Sequence, residues 1–158
     1  MLSIFKFDRM EWAIEKCTEL GAARIVPVLA QRTDKHLAAA VEKRWERWQR
    51  LVQQAAEQSR RVKAPELLRP LDLQQALLSS ARRRVVLSEI EQEVMLKDAV
   101  RQADSVALAF GPEGGWTEME MKSFCDAGWI SASLGRTILR AETAAIAGLA
   151  VAMAEMNL

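Results

Sequence analysis

Apolar and polar positions along the chain change period several times, and each change marks an element. Leu2 to Phe7 is a short apolar and aromatic run that predicts a strand. Met10, Ala13, Ile14, Cys17 and Leu20 then fall at helical spacing. They predict a helix opened by Asp8, with Glu11 in capping-box position, and stopped by Gly21. Arg24 to Leu29 predicts a second strand, at an edge or a bulge, because Pro27 has no N–H to give a central ladder. Ala38 to Arg61 has helical spacing without Gly or Pro and predicts one long helix. Trp45, Trp48, Val52 and Ala55 lie on one stripe of it, and Arg44, Arg47, Gln54, Gln58 and Arg61 on another. Pro65 and Pro70 bound a connector. A short helix over Leu71 to Leu78, a strand over Arg84 to Leu87 and a short helix over Glu93 to Arg101 follow.

Ser105 to Phe110 is almost wholly apolar, the pattern of a central parallel strand covered on both faces. Thr117 and Glu120 form a second capping box before a helix that Gly128 ends. Trp129 to Leu134 is the last predicted strand, and Glu142 to Met156 the last helix. That helix is alanine-rich and apolar almost all round, so it must be covered on more than one side, by the core or by a second copy of the chain. Strands alternating with helices predict an α/β fold, with a mostly parallel sheet and helices on both faces. No repeat or linker divides the chain, which predicts one domain over residues 1–158.

Composition adds constraints. The net charge of +1 means that attraction to nucleic acid must come from a local patch. The long helix carries one: Lys43, Arg44, Arg47, Arg50, Arg60, Arg61 and Lys63 against Glu46 and Glu57. A solvated face and a phosphate-contacting face both fit that run. Cys17 and Cys125 are isolated and lack metal-ligand spacing, as in a reduced intracellular protein with no bound metal. No apolar run approaches the roughly 18 residues of a membrane span. Lys6, Asp8 and Arg9 interrupt any leader pattern. The expectation is a cytoplasmic protein that does not engage membranes.

Two segments carry the candidate chemistry. Gly111-Pro112-Glu113-Gly114-Gly115 follows one apolar run, and Leu134 to Ala144 follows the other. Each leaves the end of a predicted strand, where ligands bind in α/β sheets. The first segment lacks the Lys-Ser/Thr ending of a Walker loop, and no G-x-G-x-x-G or nucleophile elbow occurs. The single histidine, His36, is far in sequence from both segments. Backbone N–H and C=O groups remain, exposed by glycines and able to read an adenine edge or a ribose. A pair of tight turns is the plainer alternative.

Phe110-Gly111-Pro112-Glu113-Gly114-Gly115, followed by Leu134-Gly135-Arg136-Thr137-Ile138-Leu139-Arg140-Ala141-Glu142-Thr143-Ala144, resembles the ribosomal small-subunit methyltransferase E family of the SPOUT superfamily. The likeness extends upstream. Met10-Glu11-Trp12, Lys16 and Thr18-Glu19-Leu20-Gly21 resemble that family's first helix, and Pro27 and Arg32 the strand and loop after it. Arg47-Trp48 and Ala55 to Arg61, with Pro65, resemble its long helix.

The resemblance implies an S-adenosylmethionine-dependent enzyme that methylates N3 of a uracil in 16S ribosomal RNA. It further implies a C-terminal trefoil knot and a homodimer through the last helix. It assigns cofactor contacts to Leu87, Gly111, Pro112, Glu113, Gly114, Leu134, Gly135, Ile138 and Leu139. Arg140 would stabilise charge on a uracil oxygen, and Glu142 would accept the N3 proton or orient Arg140. RNA of the small ribosomal subunit would be held by Arg32, Arg60, Arg61 and Arg136. The chain departs from the family pattern in two respects. By the resemblance it is expected to begin at the catalytic domain, without the family's N-terminal RNA-binding β-barrel. Before Ile138-Leu139-Arg140, where Arg is common, it has Thr137, preceded by Arg136. A related SPOUT methyltransferase acting on another RNA, and a non-catalytic RNA-binding or ribosome-assembly factor, are the alternatives.

Overall fold

Every strand pairing among the described residues of the computed structural model, residues 1–156, is parallel. The strands are β1 (Leu2–Ser3), β2 (Arg24–Ile25), β3 (Pro27–Leu29), β4 (Glu66–Leu67), β5 (Leu71–Asp72), β6 (Arg83–Leu87), β7 (Val106–Ala109) and β8 (Ile130–Ala132). β3 lies between β1 and β5, and β6 between β7 and β8. A bridge from Leu2 to Phe110 joins the two sets. There the Ser3 N–H donates to the Phe110 carbonyl at 3.0 Å, and the Phe110 N–H to the Met1 carbonyl at 3.1 Å. The spatial order is therefore β5-β3-β1-β7-β6-β8, with β2 and β4 as a separate pair.

Alternation along the central strands divides the core in two. Val85 and Leu108 pack into one apolar cluster with Met10 and Ile14 of helix α1 (Phe7–Glu19). Trp48 and Val52 of α3 (Trp45–Gln58), Leu96 of α5 (Leu96–Ala99), and Ala145 and Ala152 of α7 (Ala141–Glu155) complete it. Val86 and Ala109, one residue on, join Leu77, Phe124 and Trp129 in a second cluster. Phe124 belongs to α6 (Glu118–Asp126), and Leu77 ends α4 (Leu73–Ala76). The remaining helix is α2 (Lys35–Ala40). An α/β sheet with helices on both faces is thus observed.

Several expected boundaries move. The N-cap of α1 is Lys6, which makes no side-chain cap, and Asp8 stands inside the first turn. The helix starts early because Phe7 is anchored: its ring meets Trp48 edge-on at 5.9 Å and lies under Arg44 at 4.8 Å. Glu11 accepts from Arg47 Nε at 2.9 Å instead of closing a capping box. Pro27 lies neither at an edge nor at a bulge. It opens the interior strand β3, where the chain changes partner from β4 to β1, so the missing N–H falls at the break. The long helix divides into α2, capped by Asp34, a 3₁₀ turn over Val41–Arg44, and α3. Leu71 and Asp72 extend the sheet before α4 begins, and Asp72 with Gln75 closes a capping box. The box of Thr117 and Glu120 forms as expected. No helix is long and apolar enough to cross a membrane, and no cluster of potential metal ligands occurs among the described residues.

Candidate active site

The segments leaving the C-terminal ends of β1, β3, β6, β7 and β8 line one cavity of about 650 Å³. That volume lies in the range of small-molecule sites, and its place at the strand ends is where parallel sheets bind ligands. Both glycine segments contribute. Gly111, Pro112, Glu113 and Gly114 form one wall, and Leu134, Gly135, Ile138 and Leu139 another, with Leu87 from the end of β6. Arg32, Arg136, Arg140 and Glu142 line the same cavity.

The first loop is braced from three sides. Arg32 Nη1 donates to the Gly114 carbonyl at 2.6 Å. The neighbouring Gln31 N–H donates to Glu120 Oε1 at 2.7 Å, and the Thr117 N–H to Glu120 Oε2 at 2.8 Å. Buried Glu120 thereby ties the turn that carries Arg32 to the start of α6. A Cβ on Gly111 would stand 3.3 Å from Trp116 Nε1, so glycine is what lets the indole close over the loop. In the second loop Ser133 Oγ accepts the Gly135 N–H at 3.1 Å and donates to the Gly135 carbonyl at 3.0 Å. Gly135 has φ +131°, a conformation that side chains strain, and a Cβ there would have nothing within 4 Å.

Arg140 is the N-cap residue of α7, with extended backbone and no side-chain cap bond. Its exposed side chain makes no hydrogen bond or ion pair among the described residues, which leaves five donors free at the cavity edge. Glu142, two residues on, is buried. Arg9 Nη1 donates to its Oε1 at 2.6 Å, and its Oε2 has no partner among the described residues. Lys6, Arg9, Arg32, Arg136 and Arg140 outnumber Glu89, Glu113 and Glu142 on the lining, so the cavity attracts anions.

Arg60 and Arg61 do not reach this cavity. Arg61 Nη1 donates to the Thr18 and Ala22 carbonyls at 2.7 and 2.9 Å, closing the end of α1. Arg60 is exposed in a left-handed turn, φ 57°, after α3. Lys6, Arg9, Ser88, Glu89, Ile90, Trp116 and Ser133 line the cavity without having been expected there. The strand-end rule that singled out the glycine loops applies equally to the residues after β1 and β6. Burial pushes the Cys17 thiol up to about 11, as befits an inert core residue.

Residues 1–153 match the RNA methyltransferase domain family. The chain belongs to that family. Among members of this RNA methyltransferase family, the ribosomal RNA small subunit methyltransferase E of Synechocystis is 36% identical over 162 residues, 99% of this chain and 51% of that protein. The Bacillus subtilis protein of the same name is 34% identical over 154 residues, 91% of this chain and 60% of that one. The chain therefore spans about half to three fifths of their length. A Legionella pneumophila protein solved in complex with the cofactor SAM superposes with a TM-score of 0.89 at 33% identity, over 98% of this chain and 64% of that one. Ribosomal RNA small subunit methyltransferase E from Neisseria gonorrhoeae, bound to S-adenosyl methionine, superposes with a TM-score of 0.83 at 36% identity, over 94% and 62%.

Proposed function

We propose that this chain is an S-adenosylmethionine-dependent methyltransferase acting on N3 of a uracil in 16S ribosomal RNA. One observation carries the reading: both glycine loops and the unpaired Arg140 meet in a single cavity at the strand ends of an RNA methyltransferase fold. The lining suits the cofactor. Leu87, Leu134, Ile138 and Leu139 offer apolar surface to an adenine, and glycine backbone at 111, 114 and 135 offers N–H and C=O groups to polar edges. When bound, the cofactor supplies a methyl group on a sulfonium sulfur and departs as S-adenosylhomocysteine.

The chain's own residues do the rest. Apolar walls exclude water and strengthen every charge inside. Arg140 stabilises the negative charge that develops on a uracil oxygen as the N3 proton leaves. Glu142 Oε2, buried and without a partner, is the acceptor for that proton. Arg32 and Arg136 face RNA phosphates at the rim, so RNA affinity falls as salt rises. Arg61 is committed to the end of α1, and the rim arginines carry the contact. The same reading includes a knotted C-terminal path. The Ser88 N–H donates to the Ala132 carbonyl and the Ser133 N–H to the Val94 carbonyl, which supports a thread between β6 and the segment before α5. It also includes a homodimer through α7 and a cytoplasmic site of action, where ribosomes are assembled.

The test is methyl transfer to small ribosomal subunits that lack the modification, with mass spectrometry of the RNA. N3-methyluridine is the expected product. Arg140→Ala should lower turnover at least about 100-fold while cofactor affinity stays within about tenfold, ~1.4 kcal/mol. Cofactor binding with no transfer to any RNA would favour the assembly-factor alternative. Transfer to a different RNA would favour a related methyltransferase.

A further inference from the structure

Glu142 is held from one side only. It stands in the first turn of α7 and is 4% exposed. Arg9, reaching across from the first turn of α1, donates from Nη1 to Oε1 at 2.6 Å. Oε2 is sealed from water, and no group among the described residues donates to it. A buried carboxylate that only joined two helices would use both oxygens, because an unpartnered buried acceptor destabilises the fold. Arg9 and Glu142 both line the cavity, so the unpartnered acceptor is part of its wall, below the surface that solvent reaches. The last torsion of a glutamate is broad and roughly two-fold, so its carboxylate turns unless something fixes it. Lys6 and Arg140 line the same cavity but make no bond to Glu142. Among the described residues, Arg9 alone donates to the carboxylate.

We infer that Arg9 is a positioning residue, which sets the rotation of the Glu142 carboxylate so that Oε2 faces the N–H of a bound nucleobase. The inference rests on the methyltransferase reading above. Arg9 does not touch the reacting atoms. It acts through Glu142, and its removal should appear in the chemical step and leave binding intact.

The full chain is compared as wild type, Arg9→Ala and Arg9→Lys, with unmodified small ribosomal subunits as acceptor. Arg9→Ala should lower kcat about 30-fold, with the cofactor Kd and the KM for RNA changed no more than about twofold. Arg9→Lys, which keeps a cationic donor near Oε1, should restore most of the loss. Added guanidinium ion should restore part of the turnover of Arg9→Ala, which a merely structural contact would not permit. A loss carried by KM would make Arg9 a phosphate contact, and an unchanged kcat would overturn the inference outright. Crystal structures provide a readout without turnover. In Arg9→Ala the Glu142 carboxylate should turn while α1 and α7 stay in place, and an unmoved carboxylate would overturn the inference. An inactive wild type whose Glu142 still turns on losing Arg9 would instead sink the methyltransferase reading alone.

Discussion

Gly148, midway along α7, is pressed against Phe110. A Cβ there would lie 2.7 Å from Phe110 Cε1 and 2.9 Å from Cζ. Glycine to alanine in a helix interior ordinarily gains about 1 kcal/mol. Here the overlap reverses the sign, and a net loss of ~1–3 kcal/mol is expected for Gly148→Ala. Phe110 directly precedes Gly111, so the displaced ring should also loosen cofactor binding. Urea denaturation and calorimetry read the two effects, and a more stable variant would mean that the ring swings aside freely. The packing partner of Gly148 was not legible in the sequence, because nothing in a glycine's neighbours announces what faces it. Local chemistry was legible: Thr117 and Glu120 close their capping box as their spacing requires. The same spacing misled at Asp8 and Glu11, where Arg44 at the end of the 3₁₀ turn and Arg47 of α3 take the glutamate for a long-range pair.

Between elements, the join of α1 to α3 depends on Arg61. Its guanidinium donates to the Ala22 carbonyl beyond α1 and to the Thr18 carbonyl in its last turn, which also accepts the Gly21 N–H at 3.1 Å. Arg61→Ala should cost about 1–2 kcal/mol in a urea titration, with RNA affinity changed less than about twofold. Weaker RNA binding at unchanged stability would return Arg61 to the RNA surface. The order of strands and helices was readable from periodicity, and so was the apolar β7. The strands β4 and β5 were not, since Pro65 and Pro70 mark the first as connector and Leu71 falls in with the helical pattern after it. The break in the long helix was hidden as well, because no Gly or Pro marks it. It falls where Arg69 stacks over Trp45 at 4.2 Å and pairs with Glu42 at 2.8 Å, a contact from the connector that only the fold brings near.

At the scale of the whole molecule, the apolar surface of α7 exceeds what the sheet covers. Ala145, Gly148 and Ala152 are buried against the core, but Ala150 and Ala154 are exposed and Ile146 and Ala147 only half-buried. α1 lies beside α7 and runs the same way, since Arg9 meets Glu142 near one end and Met153 abuts Gly21 near the other. Trp12 on α1 is 51% exposed, unusual for so large an apolar side chain. Exposed apolar side chains on two adjacent helices are the kind of surface that an interface covers. The periodicity showed that α7 needs cover on more than one side, and only the fold shows which side the core leaves open. The proposed homodimer supplies that cover by pairing this surface with its own copy about a two-fold axis. Sedimentation equilibrium at micromolar concentration should then give a dimer. Ile146→Glu would bring two carboxylates into the apolar interface and should raise the dimer Kd at least about 100-fold, ~2.7 kcal/mol. Position 146 is half-open in the single chain, so at a dilution where both proteins are monomers the urea midpoint should barely move. A wild type that sediments as a clean monomer would end the dimer proposal, and it would leave Trp12 and Ile146 open to a surface of the RNA-bearing substrate instead.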